Sequence, residues 1–279
     1  MLAFALVFVF VLRGGLPILF DAKVQGEANW GTLVQTPTWQ PVSDHPRYGL
    51  WPLFAGTAKV VLIALFFSVP VGVGAALFAS EFAAPSIREW IKPAVEILAG
   101  IPSVVLGFFA LIVLATWLQS VTGSTSRLNA LNAGMALGIG LLPALFTMCE
   151  DAFRAVPRSF REASLALGAT RWQTAARVTL PSASVGVSAA ILLGAARALG
   201  ETMIVLMASG NAALLDWSPL QSVRTISATI AAELGEVVVG SPHYTVLFFL
   251  GAVLFLVAFL VNAISGHLMD RMRRRLAGG

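Results

Sequence analysis

Six stretches of this 279-residue chain are apolar over roughly the twenty residues that a helix needs to cross a bilayer, and this property decides what the chain can become. A helix rises about 1.5 Å per residue, and the hydrocarbon layer is about 30 Å thick. Inside lipid, backbone N–H and C=O groups must find partners within the protein, which leaves helices or closed barrels. A membrane barrel would show ~10-residue segments of alternating character, and none is seen. Charged residues make up 11% of the chain and apolar ones 57%, whereas soluble domains carry about 25% charge. The expected fold class is therefore all-α: a polytopic membrane protein with six transmembrane helices. The single cysteine, Cys149, excludes an internal disulfide. A net charge of +4, concentrated in loops, gives no footprint for nucleic acid.

The first span is expected at 1–20, and it reads as a membrane helix because no basic segment precedes it and no small-residue cleavage site follows. Residues 21–50 are polar and Pro-rich, with Trp30 and Trp39, and read as an exposed loop or short surface helix on the far side. The core is expected over 51–268. Its spans lie near 53–79, 93–118, 130–149, 182–208 and 244–267, with an amphipathic connector over 80–92 and a polar loop over 150–181. Residues 269–279 form a basic tail. Loops on the side of 80–92, 150–181 and 268–279 carry 11 Lys and Arg, against 4 on the other side. Positive loops stay inside, so both termini and the 150–181 loop are expected in the cytoplasm. Lys59, near the outer end of the second span, is expected to snorkel. His243 and His267 read as interfacial residues, and with His45 they are too dispersed for a metal site.

The 150–181 loop is too patterned for a slack connector. Ser159 and Glu162 have the spacing of a capping box, and so do Thr170 and Gln173. Gly168 stands where a helix ends and the chain needs positive φ. Two short helices joined at a glycine are expected, and a folded hairpin on a membrane face suggests a docking partner.

Within it, Glu162-Ala-Ser, three residues, Gly168, nine residues and Val178-x-Leu180-Pro181 resemble the EAA signature of bacterial ABC-importer permeases, with Ser164 for Ala and Val178 for Ile. Ala99-Gly-Ile-Pro-Ser103, Ala196-Arg-Ala-Leu-Gly-Glu-Thr-Met203 and Thr225–Glu236 extend the resemblance, over nearly the whole chain, to the phosphate-specific Pst type, closer to its PstC than its PstA subunits. The resemblance implies a type I, MetI-like permease fold in the inner membrane. It implies that Arg161, Glu162, Ala163, Ser164, Ala166, Leu167, Gly168, Ala169 and Arg171 couple the chain to a cytoplasmic ATPase dimer. It also implies a second homologous permease and a periplasmic phosphate-binding protein. No Walker A motif and no hydrolase motif occurs, so no cofactor or metal is expected in this chain. ATP and Mg would be bound by the partner ATPase.

Arg197 and Glu201 carry the cargo hypothesis. From Pro181, Arg197 lies roughly 24 Å along a helix at about 1.5 Å per residue. At i and i+4 the two residues would share one helical face and could pair. An intramembrane guanidinium suits an oxyanion, because its fork of donors matches the oxygens. A structural ion pair that fixes helix packing is the alternative. Two other functions stay open: a permease for molybdate, tungstate or sulfate, and a secondary transporter that needs no ATPase.

Overall fold

The computed structural model describes residues 2–277, and the side chains of residues 6–84 and 86–271. The chain runs through α1 (Leu2–Gly15), α2 (Pro17–Phe20), α3 (Ala22–Glu27), α4 (Trp30–Gln35), β1 (Trp39–Gln40), β2 (Arg47–Tyr48), α5 (Trp51–Glu81) and α6 (Pro85–Ala99). Then come α7 (Ser103–Phe109), a π-helical turn (Ala110–Leu114), α8 (Ala115–Thr122), α9 (Ala130–Arg154), α10 (Arg158–Ala166) and α11 (Arg171–Thr174). A second π-helical turn (Ala175–Thr179) leads into α12 (Leu180–Ser182), α13 (Ser184–Gly200), α14 (Met203–Ala208), α15 (Ile226–Glu233) and α16 (Pro242–Ala277).

Among the described residues, four helices are long and apolar enough to cross a membrane: α5, the Ser103–Thr122 run, α9 and α16. A fifth candidate is the pair Arg171–Ser182 and Ser184–Gly200, bent by 67°. The expected first span is a shorter apolar helix, Leu6–Phe20, interrupted at Leu16 because Pro17 brings no N–H.

Several expected boundaries move. The span placed at 93–118 begins at Ser103, because Gly100, Ile101 and Pro102 break the chain and residues 93–99 belong to α6. On α6, Ile91 and Val95 pack inward while Trp90 stays 80% exposed. The span placed at 182–208 breaks at Glu201 and Thr202, where the Thr202 hydroxyl donates to the Gly200 carbonyl at 3.2 Å. The basic tail is no separate segment, because α16 continues through Ala277.

The chain forms two compact units. The first comprises residues up to Ile63, Ser103–Leu137 and Leu199–Ala258. Here the 21–50 segment, expected as an exposed loop or short surface helix, forms two short helices and a small β-hairpin. Asp21 and Asn29 cap α3 and α4 through the Lys23 and Thr32 N–H groups, both at 2.9 Å. β1 and β2 pair antiparallel, Trp39 opposite Tyr48. Ile18, Leu33, Trp39, Tyr48 and Leu50 then bury against Ile226, Val246, Leu247 and Leu250.

Charged groups complete this core. Glu233 accepts from the Trp39 indole N–H at 3.1 Å, pairs with Arg224 at 2.7 Å, and meets His243 Nε2 at 2.9 Å. His243 is therefore a partner of Glu233 rather than a free interfacial residue. Lys59 does not snorkel: it is 7% exposed, and its ammonium donates to the carbonyls of Asp216 and, at 3.2 Å, Ser218. The 209–225 loop supplies the polar partners that lipid could not.

The second unit comprises Ala64–Pro102, Gly138–Ala198 and residues from Phe259. Its core joins Ala76, Ala79, Phe146, Cys149, Phe153, Val156, Ala183 and Val187. Small residues let the backbones approach, as lipid-embedded packing requires. A side chain at Gly138 would press on the Ala64 carbonyl, and one at Gly72 or Gly194 on Leu145. The buried Ser265 hydroxyl donates to the Ala189 carbonyl at 2.7 Å.

Candidate functional site

The polar stretch that stood out in the sequence folds as a helical hairpin. α10 ends in a Schellman arrangement around Gly168, whose φ is +83°. The Ala169 N–H bonds to the Ser164 carbonyl at 3.2 Å, and the Gly168 N–H to that of Leu165 at 3.0 Å. The next helix opens on a full capping box. The Gln173 N–H bonds to the Thr170 hydroxyl at 3.2 Å, and the Gln173 side chain accepts from the Thr170 N–H at 2.9 Å. The first capping box is absent. α10 starts two residues early, with Pro157 in the cap position and no side-chain cap, so Ser159 and Glu162 fall inside the helix.

The outer face of this hairpin lacks a cover. No residue of α10 is buried. Phe160, Leu167 and Trp172 are 47, 90 and 65% exposed, with Ala163 and Ala166 open between them. Apolar surface grouped in this way on a polar segment marks an interaction face.

What holds the hairpin in place is Arg161. Its Nε donates to both Glu81 oxygens, at 2.9 and 3.1 Å, and Nη2 pairs with the same carboxylate at 2.8 Å. The remaining donors reach the carbonyls of Val156 at 2.7 Å and Phe153 at 2.8 Å. The Phe153 carbonyl, in the last turn of α9, also accepts from the Val156 N–H at 3.2 Å. Arg161, expected to offer charge to a partner, is thus fully engaged within the chain. Ser164 and Thr174 join the two arms of the hairpin through their hydroxyls at 2.9 Å. Arg171 and Glu162 make no ion pair among the described residues. Behind the hairpin lies a cavity of about 580 Å³, whose wall includes Glu81, Arg88, Arg158, Glu162 and Arg171. Sequence reasoning missed Glu81 and Arg88, because nothing local ties position 81 to position 161.

Arg197 stands in the last turn of α13, about 20 Å along that helix from Ser184 at about 1.5 Å per residue. It is exposed and has no ion pair among the described residues. The expected i, i+4 pair on one helical face is not formed, because α13 stops at Gly200 and Glu201 lies beyond it. Glu201 instead serves the turn. Its carboxylate accepts from the Thr202 N–H at 3.3 Å, and its backbone oxygen from the Ser227 hydroxyl at 2.9 Å.

Residues 68–274 match the family of binding-protein-dependent transport system inner membrane components. The phosphate transport system permease protein PstC of Mesorhizobium japonicum is 35% identical over 292 residues, covering 97% of this chain and 88% of that protein. Among solved structures, an inward-facing MetNI methionine ABC transporter aligns with a TM-score of 0.60 at 19% identity, over 80% of this chain and 97% of that one. A bacterial alginate ABC transporter, in complex with an alginate-bound periplasmic protein, aligns at 0.55 and 14% identity, over 97% and 94%. These two likenesses are of fold.

Proposed function

The chain belongs to the binding-protein-dependent transport system inner membrane component family, and on that premise we propose that it is the permease subunit of an ATP-driven importer for inorganic phosphate. With a second homologous permease it lines the path across the inner membrane and works by alternating access. The observation that carries the cargo is the near full-length identity to a phosphate permease.

The hairpin is the coupling element. Its uncovered face, from Phe160 to Trp172, docks on a cytoplasmic ATPase dimer that binds ATP and Mg. The division of basic residues, 11 against 4, supports a cytoplasmic hairpin and cytoplasmic termini. Ala163, Ala166, Leu167, Gly168 and Ala169 form the contact surface, and Glu162 and Arg171 border it from the cavity wall. Arg161 and Ser164 work from behind, fixing the hairpin to the permease. When the ATPase dimer closes on ATP, the hairpin moves with it. The bent α11–α13 connection carries that motion into α13, whose last turn bears Arg197. A periplasmic binding protein delivers phosphate on the opposite side. Arg197, exposed and unpaired among the described residues, binds the anion in transit.

The test is uptake of labelled phosphate by cells that carry this chain with its partner permease, ATPase and binding protein and lack other phosphate importers. Phosphate uptake should require the ATPase and resist excess molybdate, tungstate and sulfate. Arg197→Ala should lower it by on the order of tenfold or more while the complex still assembles. Uptake of a different oxyanion in preference to phosphate overturns the cargo, and uptake without the ATPase overturns the class.

A further inference from the structure

The cavity behind the hairpin holds more positive charge than the chain neutralises. Two of its arginines are matched by carboxylates, Arg161 by Glu81 at 2.8 Å and Arg154 by Glu150 at 2.6 Å. Arg88 is different. Its guanidinium turns back onto the carbonyls of Ala79, at 2.7 and 3.0 Å, and Ser80, at 2.8 Å. Carbonyls orient it and leave its charge in place. Arg158 and Arg171 line the same cavity and make no ion pair among the described residues. Against these three cations the wall offers one unpaired carboxylate, Glu162.

A space of about 580 Å³ ringed by uncompensated guanidinium groups is suited to an anion. Guanidinium forks match the paired oxygens of phosphate better than a single acceptor. The three come from separate parts of the chain: Arg88 from α6, Arg158 from α10 and Arg171 from α11. We propose that this cavity is a binding site for a phosphate-type oxyanion, held by Arg88, Arg158 and Arg171, and built from residues other than Arg197. The oxyanion is either free inorganic phosphate or the headgroup of an anionic phospholipid, since basic pockets on the inner face of membrane proteins take such headgroups. An occupied site ties both arms of the hairpin to α6. Its occupancy then sets how firmly the hairpin is presented to the ATPase, a consequence that rests on the coupling reading above.

The experiment uses the whole transporter in nanodiscs without nucleotide, in an Arg197→Ala background so that the transport path does not report. In one arm the discs are phosphatidylcholine only, and inorganic phosphate is titrated by calorimetry. In the other the discs contain phosphatidylglycerol, and retained lipid is read by native mass spectrometry. Binding in either arm that weakens by about tenfold or more in the Arg158→Ala/Arg171→Ala variant, and returns in part with Lys at both positions, supports the site and names its source. Binding in neither arm, or binding that the double variant leaves unchanged, overturns it. Co-purification of the ATPase is scored separately with Leu167→Asp. An ATPase that stays bound to that variant counts against the coupling reading, while the anion titration stands on its own.

Discussion

If Arg161 is the anchor of the hairpin, removing it should free the hairpin while leaving the spans folded. Arg161→Ala strips the Glu81 carboxylate, 9% exposed, of the guanidinium that faces it. Breaking a buried pair by removing one partner costs about 3–5 kcal/mol, and the lower end applies because the Arg161 side chain is itself 20% exposed. The Val156 carbonyl loses its side-chain donor as well and that of Phe153 one of its two, although water at this edge can replace them in part. A loss of about 3 kcal/mol corresponds to roughly a hundredfold rise in the open population. Amide hydrogen exchange across residues 163–169 reads that population directly. Arg161→Lys should recover little, because one ammonium cannot serve the carboxylate and two carbonyls at once. The decisive form is a double-mutant cycle with Glu81→Ala, where a coupling energy of about 2 kcal/mol is expected. Additivity within about 0.5 kcal/mol would refute the anchor, and so would wild-type protection in Arg161→Ala.

Other outcomes follow from single features. Gly168→Val places a β-branched side chain at φ +83° with no neighbour to clash, so the cost of about 1–2 kcal/mol is purely conformational; ATPase co-purification should fall, and Gly168→Asn should lose less. Glu233→Ala leaves Arg224 and the Trp39 indole without their acceptor, lowering stability by about 3 kcal/mol in thermal unfolding of the purified protein. Burial, then the carboxylates of Glu27 and Glu233, push the Tyr48 phenol up to about 12. As the pH rises past about 10 the unfolded chain loses that proton first, so stability is complete below pH 10 and falls toward pH 12. Denaturation at pH 9 and pH 11 should show a steeper fall in the wild type than in Tyr48→Phe.

Much of the hairpin was legible in the sequence because its determinants are local. Gly168 and the Thr170–Gln173 box act within a few residues of themselves, and both appear in the structure. The Ser159–Glu162 spacing is equally local and failed, because Pro157 caps the helix two residues early. Long apolar runs likewise announced α5, α9 and α16. What stayed hidden depends on partners far apart in sequence. Arg161 meets a glutamate 80 positions away, and Lys59 meets carbonyls 157 and 159 positions away. Polarity alone suggested an exposed loop or short surface helix over 21–50 and not its buried core, since the apolar residues that cover Trp39 and Tyr48 lie beyond position 225. The break after Gly200 had no such excuse. Gly200 and Thr202 were in view, and hydrophobicity on both sides outweighed them.

That remote covering has a consequence for how the protein is made. The indole of Trp39 finds its acceptor 194 positions later. Ile18, Leu33 and Leu50 wait for Val246, Leu247 and Leu250. At a synthesis rate of about 5–20 residues per second, the segment after the first helix stays unfinished for on the order of ten to forty seconds. During that interval its aromatic residues lack the covering that Val246, Leu247 and Leu250 supply. Insertion of the last helix is therefore also the event that closes the first loop. A nascent chain halted before Ile226 should expose that loop to protease until synthesis resumes.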